Sequence, residues 1–215
     1  MKNANRIKAK RLIIFVLFFS TLIHSIAYGQ EEQIKIGILA LRGAEETMER
    51  WTPTAEYLSA QIPEYQFIII PLDFEEIYSA TERGEVDFVL ANSSIYVELE
   101  YKYGVGRIVT LQDLWQGQAY DEFGGVIFTR KDRKDINNLD DLKNKSFMAV
   151  HETSFGGWRM TQREFKGYGI NPYQDFAEMQ FGGTHDNVVY AVQEGLVDAG
   201  TVRTGILERM DEEGK

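Results

Sequence analysis

Residues 66–91 run QFIIIPLDFEEIYSATERGEVDFVLA, and this stretch decides the architecture. "QFIIIPL" (66–72) is a short, nearly unbroken apolar run, as in a strand buried on both faces. "FEEIYSATERGE" (74–85) has the length and polarity of a helix, with Gly84 as its stop. "VDFVLA" (86–91) is apolar again. Strand, helix and strand in this succession make a βαβ unit, whose two strands lie parallel in one sheet.

The pattern extends in both directions. Upstream, "QIKIGILA" (33–40) alternates as a strand does. Met48, Trp51, Ala55, Leu58 and Ile62 then recur at three-and-four spacing on one helical face. Within that stretch Thr52 and Pro53 have the chemistry of an N-cap and a first helical residue. Downstream, "GGVIFTR" (124–130), "SFMAV" (146–150), "FAEMQF" (176–181) and "VDAGTV" (197–202) are strands. Between them "LDDLKN", "GWRMTQREFKGYG" and "HDNVVYAVQEG" are helices. "ATERGEVD" (80–87) and "AVQEGLVD" (191–198) share the spacing A-x-x-x-G-x-V-D, a helix end, a glycine stop and a strand start. The echo suggests two similar α/β lobes, with the change-over near "LQDLWQGQAYDEFGG" (111–125).

Composition narrows the function. A hydrophobic content of 44% describes a folded chain rather than a disordered one, and the absence of cysteine excludes disulfides, thiolate metal sites and a cysteine nucleophile. Residues 1–29 differ from the rest. Lys2, Arg6, Lys8, Lys10 and Arg11 precede the apolar run "LIIFVLFFSTLI", and small residues follow at Ala27 and Gly29. This is the pattern of a secretory signal peptide cleaved near Gly29, with an uncleaved anchor as the alternative. Either way the body of the protein is expected outside the cytoplasm, in the periplasm. The first 29 residues hold five of the 23 basic residues and no acidic one, so the remainder carries 18 basic against 33 acidic groups, a net of −15. Such a surface repels nucleic acid, and an anionic ligand must be held by local donors.

In open α/β sheets ligands sit beyond the carboxyl ends of strands, where helix N-termini point. The residues that follow the strands are small and polar: Arg42 and Gly43; Asn92, Ser93, Ser94 and Tyr96; His151, Thr153, Ser154, Gly156 and Gly157; Gly182 to Asp186; Arg203 and Thr204. Hydroxyls and free N–H groups at helix starts can hold a tetrahedral oxyanion, with Arg42 or Arg203 adding a charge-assisted contact. Taken singly, each has a plain structural reading. Asn92, Ser93, Thr153 and Ser154 are ordinary caps, Arg42 an ordinary surface residue, and His185 with Asp186 a helix-capping pair. Two histidines without further ordered ligands make no metal site, and no cofactor is expected. Ser154, His185 and Asp186 can be written as a Ser–His–Asp set, but nothing in their spacing selects it.

In sequence order, "IKIGILALRG", "WTPTAEYLSAQIP", "GEVDFVLANSSIYVELE", "GGVIFTRKD", "HETSFGGW" and "GGTHDNVVYAVQEGLVDAGTVRTGILERM" resemble the phosphonate/phosphite-type periplasmic binding proteins over roughly residues 33–210. The version closest in pattern is the extracytoplasmic sensor domain of tetrathionate-type histidine kinases. The resemblance implies the type II periplasmic-binding fold, two α/β lobes with mostly parallel sheets and a ligand cleft between them. It implies lobe 1 at 30–112, lobe 2 at 113–200 and a return segment at 201–215, shorter than the family's. Thr153, Ser154 and Gly156 are similar to the family's oxyanion cradle, faced by Asn92, Ser93, Ser94 and Tyr96 from the other lobe. His185 and Asp186 match its His–Asp, and Arg203 stands at the return crossing. The implied function is capture of a small phosphonate, phosphite or sulfur oxyanion, without chemistry, for a sensor histidine kinase module or an ABC permease. A secreted α/β hydrolase or lyase, and an interaction domain without a small ligand, are the alternatives.

Overall fold

The computed structural model describes residues 32–115 and 117–215; the expected signal segment lies outside them. Strand β1 (Glu32–Leu39) leads into helix α1 (Ala44–Gln61), then β2 (Tyr65–Leu72), α2 (Glu76–Glu82), β3 (Phe88–Leu90) and α3 (Ser93–Tyr103). A hairpin follows, β4 (Asp113–Trp115) with β5 (Gln118–Tyr120), antiparallel. The second half holds β6 (Gly125–Thr129), a 3-10 turn at Leu139–Leu142, β7 (Ser146–Ala149) and a π-helical turn at Phe155–Arg159 that runs into α4 (Met160–Gly167). After it come α5 (Pro172–Asp175), β8 (Glu178–Phe181), α6 (His185–Gln193), β9 (Ala199–Arg203) and α7 (Ile206–Glu212).

The strands form a three-stranded sheet of order β2-β1-β3 and a four-stranded sheet of order β6-β9-β7-β8. β1 and β3 are parallel, as are β7 with β8 and β7 with β9. β6 departs from the parallel expectation and runs antiparallel to β9, pairing Gly125 with Arg203 and Thr129 with Ala199.

The repeated A-x-x-x-G-x-V-D has one structural meaning in both halves. Gly84 and Gly195 adopt φ of 62° and 75°, the left-handed turn that ends a helix without a Cβ clash. The next N–H returns to the first alanine, Glu85 N to Ala80 O at 2.9 Å and Leu196 N to Ala191 O at 2.8 Å. The aspartate then clamps the backbone of the neighbouring strand. Lys35 N donates to the Asp87 carboxylate at 2.7 Å, and Ser146 N to that of Asp198 at 2.8 Å. These clamps set the register of the β1–β3 and β7–β9 pairs.

Helix α1 corrects one expectation. It begins at Ala44, not at Thr52, and Pro53 lies inside it. The Thr52 hydroxyl caps nothing; it donates to Met48 O at 2.6 Å, one turn back, beside the ladder bond that proline cannot make. Glu45 and Glu46 in the first turn favour the earlier start through the helix dipole.

Leu39, Leu72, Ile77, Ile95 and Leu99 from the first sheet and its helices share one apolar cluster with Val150, Val188 and Val202 of the second, closed by Ile206 and Met210 of α7. A second cluster around Phe147, Trp158, Phe165 and Phe176 covers the far face of β7, with edge-on ring pairs such as Phe165–Phe176 at 5.2 Å. Among the described residues no helix is long and apolar enough to cross a membrane.

Candidate functional site

The carboxyl edges of the two sheets meet. His185 N–H, opening α6, donates to Leu41 O just past β1 at 3.0 Å. The His151 ring, just past β7, stacks on Phe74 beyond β2 at 4.7 Å and 14°. Asn92 Nδ2, at the start of α3, reaches Thr153 O at 3.5 Å, a length at which a ligand or water competes for the same groups.

The stretch His151–Trp158 is built as a helix start. Ser154 is extended at φ −70° and its Oγ accepts from Gly157 N at 3.2 Å, an N-cap that is 2% exposed. Arg159 N donates to Ser154 O at 2.9 Å, five residues back, which makes the first turn a π turn. Thr153 is half-buried ahead of it. Its N–H points at His151 Nδ1 at 3.2 Å, and its Oγ1 lies 3.0 Å from the same nitrogen. A ring nitrogen that receives an amide N–H is an acceptor, so the His151 proton sits on Nε2, 3.1 Å from Glu75 Oε1 across the junction.

The two glycines serve packing rather than open space. A Cβ on Gly156 would meet Gly124 O at 2.6 Å and Arg203 Cβ at 3.0 Å, and one on Gly157 would strike Val150. They bring the helix start against β6 and β7; the sequence expectation gave Gly156 to the ligand.

On the facing helix, Asn92 Oδ1 accepts from Ile95 N at 3.0 Å as an N-cap. Ser93 is exposed and Ser94 half-buried in the same turn. Tyr96 is spent within its own helix, donating to Glu100 Oε1 at 2.8 Å.

The expected cations are engaged elsewhere. The Arg42 side chain is 4% exposed and surrounded by three carboxylates. Nε and Nη2 hold Asp186 at 2.6 and 2.9 Å, Nη1 and Nη2 hold Glu213 at 2.8 Å each, and Nη1 reaches Glu46 at 3.4 Å. All five N–H donors are used, and none faces a ligand. The bond from Arg42 holds the Glu213 carboxyl down to about 2. Arg203 pairs with Asp113 and lies under the Phe123 ring at 4.3 Å. His185 is buried and accepts Arg203 N–H on Nδ1 at 3.2 Å; burial first, then the charges of Arg203 and Arg42, push it down to about 3. It is a neutral ring. With Asp186 bound to Arg42 and Nδ1 bound to a backbone amide, the Ser154–His185–Asp186 set is not assembled. Among the described residues no group of three His, Asp or Glu is arranged to hold a metal ion.

Three residues that sequence reasoning passed over stand at the junction. The Tyr78 hydroxyl on α2 is buried and makes no hydrogen bond of normal geometry among the described residues, with Glu98 and Thr153 beside it. Burial, then the Glu98 carboxylate, pushes its phenol up to about 12. Lys102 Nζ sits 4.9 Å over the Tyr78 ring. Arg159, in the π turn, is held only loosely by Glu98 at 3.9 Å and is 42% exposed. No spacing marks these residues, because each looks like ordinary surface or packing until the sheets are brought together.

Comparison with known proteins places the fold in a known family. The family model for the phosphonate ABC transporter periplasmic substrate-binding protein matches residues 36–215. The tetrathionate sensor histidine kinase of Salmonella typhimurium is 35% identical over 180 residues, 83% of this chain. The chain spans only 30% of that relative's length. Among solved structures, PhnD1 of Prochlorococcus marinus in complex with methylphosphonate superposes with a TM-score of 0.75 at 20% identity, covering 86% of this chain and 68% of that one. The binding protein component of an ABC phosphonate transporter from Pseudomonas aeruginosa gives 0.71 at 18% identity, covering 86% and 61%. At such identities the superpositions establish a shared fold, that of type II periplasmic binding proteins.

Proposed function

The chain belongs to the family of periplasmic substrate-binding proteins of phosphonate ABC transporters, and on that footing we propose that it captures a small phosphorus or sulfur oxyanion where its two sheets meet. The reading rests on one observation. Asn92 and Thr153 approach each other across the junction beside the Tyr78 hydroxyl, which is buried and makes no hydrogen bond of normal geometry among the described residues. A buried hydroxyl without a partner costs about 1–3 kcal/mol, and an oxyanion accepting from it removes that cost.

In this reading Thr153, the leading N–H groups of the helix that Ser154 caps, Asn92 and Tyr78 form the cradle, with Ser93 and Ser94 at its rim. Arg159 supplies the charge expected of Arg42 or Arg203. Binding loosens the Arg159–Glu98 pair and stiffens the junction, and no bond of the ligand is made or broken. The domain lies outside the cytoplasm, and its loaded form is read by a sensor kinase module or a permease. The 35% identity to a sensor kinase favours the first.

The test is a series of thermal melts of the full chain with methylphosphonate, phosphite, thiosulfate and tetrathionate. At about a hundred times its dissociation constant a ligand adds roughly 2.7 kcal/mol, a rise of several degrees. A melt that none of the four moves contradicts the proposal.

A further inference from the structure

The region between α1, the β4–β5 hairpin and α7 holds a charge arrangement that the cradle does not use. The carboxylate of Asp113, at the start of β4, receives Arg50 Nη2 of α1 at 3.0 Å, Arg209 Nη2 of α7 at 3.3 Å, and Arg203 Nη2 from the end of β9. Three guanidiniums on one carboxylate leave two positive charges uncompensated within the cluster. Each guanidinium carries five N–H donors against roughly four acceptor positions on the carboxylate, so donors are in large surplus. One is already orphaned: Arg203 Nε is buried without a partner among the described residues. Burial, and then the charges of Arg209 and Arg203, push the Arg50 pKa down.

The cluster adjoins an open cavity at Arg209, and its carboxylate is carried by a short hairpin. The cavity, of about 520 Å³, is lined by Leu114, Trp115, Arg209, Glu212 and Glu213. Of its two acids, Glu213 is bound to Arg42 and Lys215, while Glu212 adds one negative charge to the cavity wall, still fewer than the two uncompensated positive charges of the cluster. Asp113 is carried by a two-stranded hairpin of three residues per strand, with Leu114 and Gln118–Tyr120 exposed. Such a hairpin has little stability of its own.

We propose that Arg50, Arg203 and Arg209 form a second anion site, for a doubly charged tetrahedral oxyanion of the sulfate or phosphate class, which Asp113 fills as an internal stand-in and yields to an incoming anion. Its three guanidiniums are none of the cradle's groups, although the Arg203 backbone packs on the helix start at Gly156, and the proposal does not rest on the cradle.

Sulfate is the probe, added to the full chain against chloride at matched ionic strength. In proton–nitrogen spectra of the wild type, the Nε–H resonances of Arg50, Arg203 and Arg209 shift together and saturably with sulfate. Asp113→Asn removes the competing charge and tightens sulfate binding about tenfold, and adding Arg50→Ala reverses the gain. Thr153→Val, in the cradle, leaves the response of the three arginines in place, so the two sites fail or succeed independently. Arginine resonances that move no further in sulfate than in chloride overturn the proposal, as does unchanged sulfate affinity in a folded Asp113→Asn; Asp113 is then only a staple for the hairpin. If Asp113→Asn does not fold, the wild-type resonances decide alone.

Discussion

Arg42 and Asp186, 144 residues apart in the chain, are joined by two parallel bonds, Nε to Oδ1 at 2.6 Å and Nη2 to Oδ2 at 2.9 Å. With Glu213 on the same guanidinium, Arg42 ties the end of β1 to the start of α6 and the end of α7. It is a structural cation. Removing it leaves carboxylates without a counter-charge in a poorly solvated place, at a cost of about 3 kcal/mol. Arg42→Ala is therefore expected to lower the melting temperature by roughly 6–12 °C and to leave ligand affinity unchanged at temperatures where it is folded. Calorimetry and titration on the same preparation check both halves.

His185 sets a pH dependence whose sign is fixed. Unfolded, its imidazole takes a proton near pH 6.5; folded, burial and the charges of Arg203 and Arg42 hold that event down to about 3. Between those values the unfolded chain binds the extra proton, so stability falls as the pH drops below 6.5. From pH 7 to pH 5 the loss from this group is about 2 kcal/mol, before carboxylates such as Glu213 begin to titrate. Urea midpoints at the two pH values measure it. His185→Asn retains an acceptor for Arg203 N–H and is expected to flatten the slope.

Tyr78→Phe separates stability from binding. The phenol oxygen is buried and makes no hydrogen bond of normal geometry among the described residues, so its removal raises the stability of the unliganded protein by about 1 kcal/mol. The same change takes a donor from the cradle and weakens anion binding about tenfold, which is 1.4 kcal/mol. A melt and a titration moving in opposite directions is the expected signature. A variant both less stable and equally tight in binding contradicts the assignment of Tyr78.

Gly156→Ala tests the packing role of the turn. Its Cβ meets Gly124 O at 2.6 Å and Arg203 Cβ at 3.0 Å, so β6 and the helix start must separate. The expected cost is about 1–3 kcal/mol in stability, with any loss of affinity following from the displaced helix start. Denaturant unfolding measures the cost directly.

The local grammar of the fold was legible in the sequence. "QFIIIPL" and "QIKIGILA" became β2 and β1 within a residue of their expected limits, because unbroken or alternating apolar runs have few other solutions. The A-x-x-x-G-x-V-D echo marked both helix-to-strand junctions, since only a glycine stop and a strand-start aspartate fit there. Pro53 misled because a proline in mid-helix is tolerated when tertiary packing outweighs its missing bond. The β4–β5 hairpin escaped notice: three-residue strands show no period. At the junction, Thr153, Ser154 and Asn92 were visible as helix openers. The engagement of Arg42 was not, since its partners Asp186 and Glu213 lie 144 and 171 residues away and no local pattern carries such a pairing. Tyr78 and Arg159 were hidden for the same reason.

The central claim is that an oxyanion binds between the sheets, against Thr153 and Tyr78. Calorimetric titration of the full chain with tetrathionate and with methylphosphonate, for the wild type and for Thr153→Val, tests it most directly. The account predicts saturable 1:1 binding of at least one of the two anions at the junction and a loss of about tenfold or more in the variant, whose fold and sulfate response at Arg50, Arg203 and Arg209 stay intact. Equal affinity in a folded Thr153→Val would place the ligand elsewhere and contradict it.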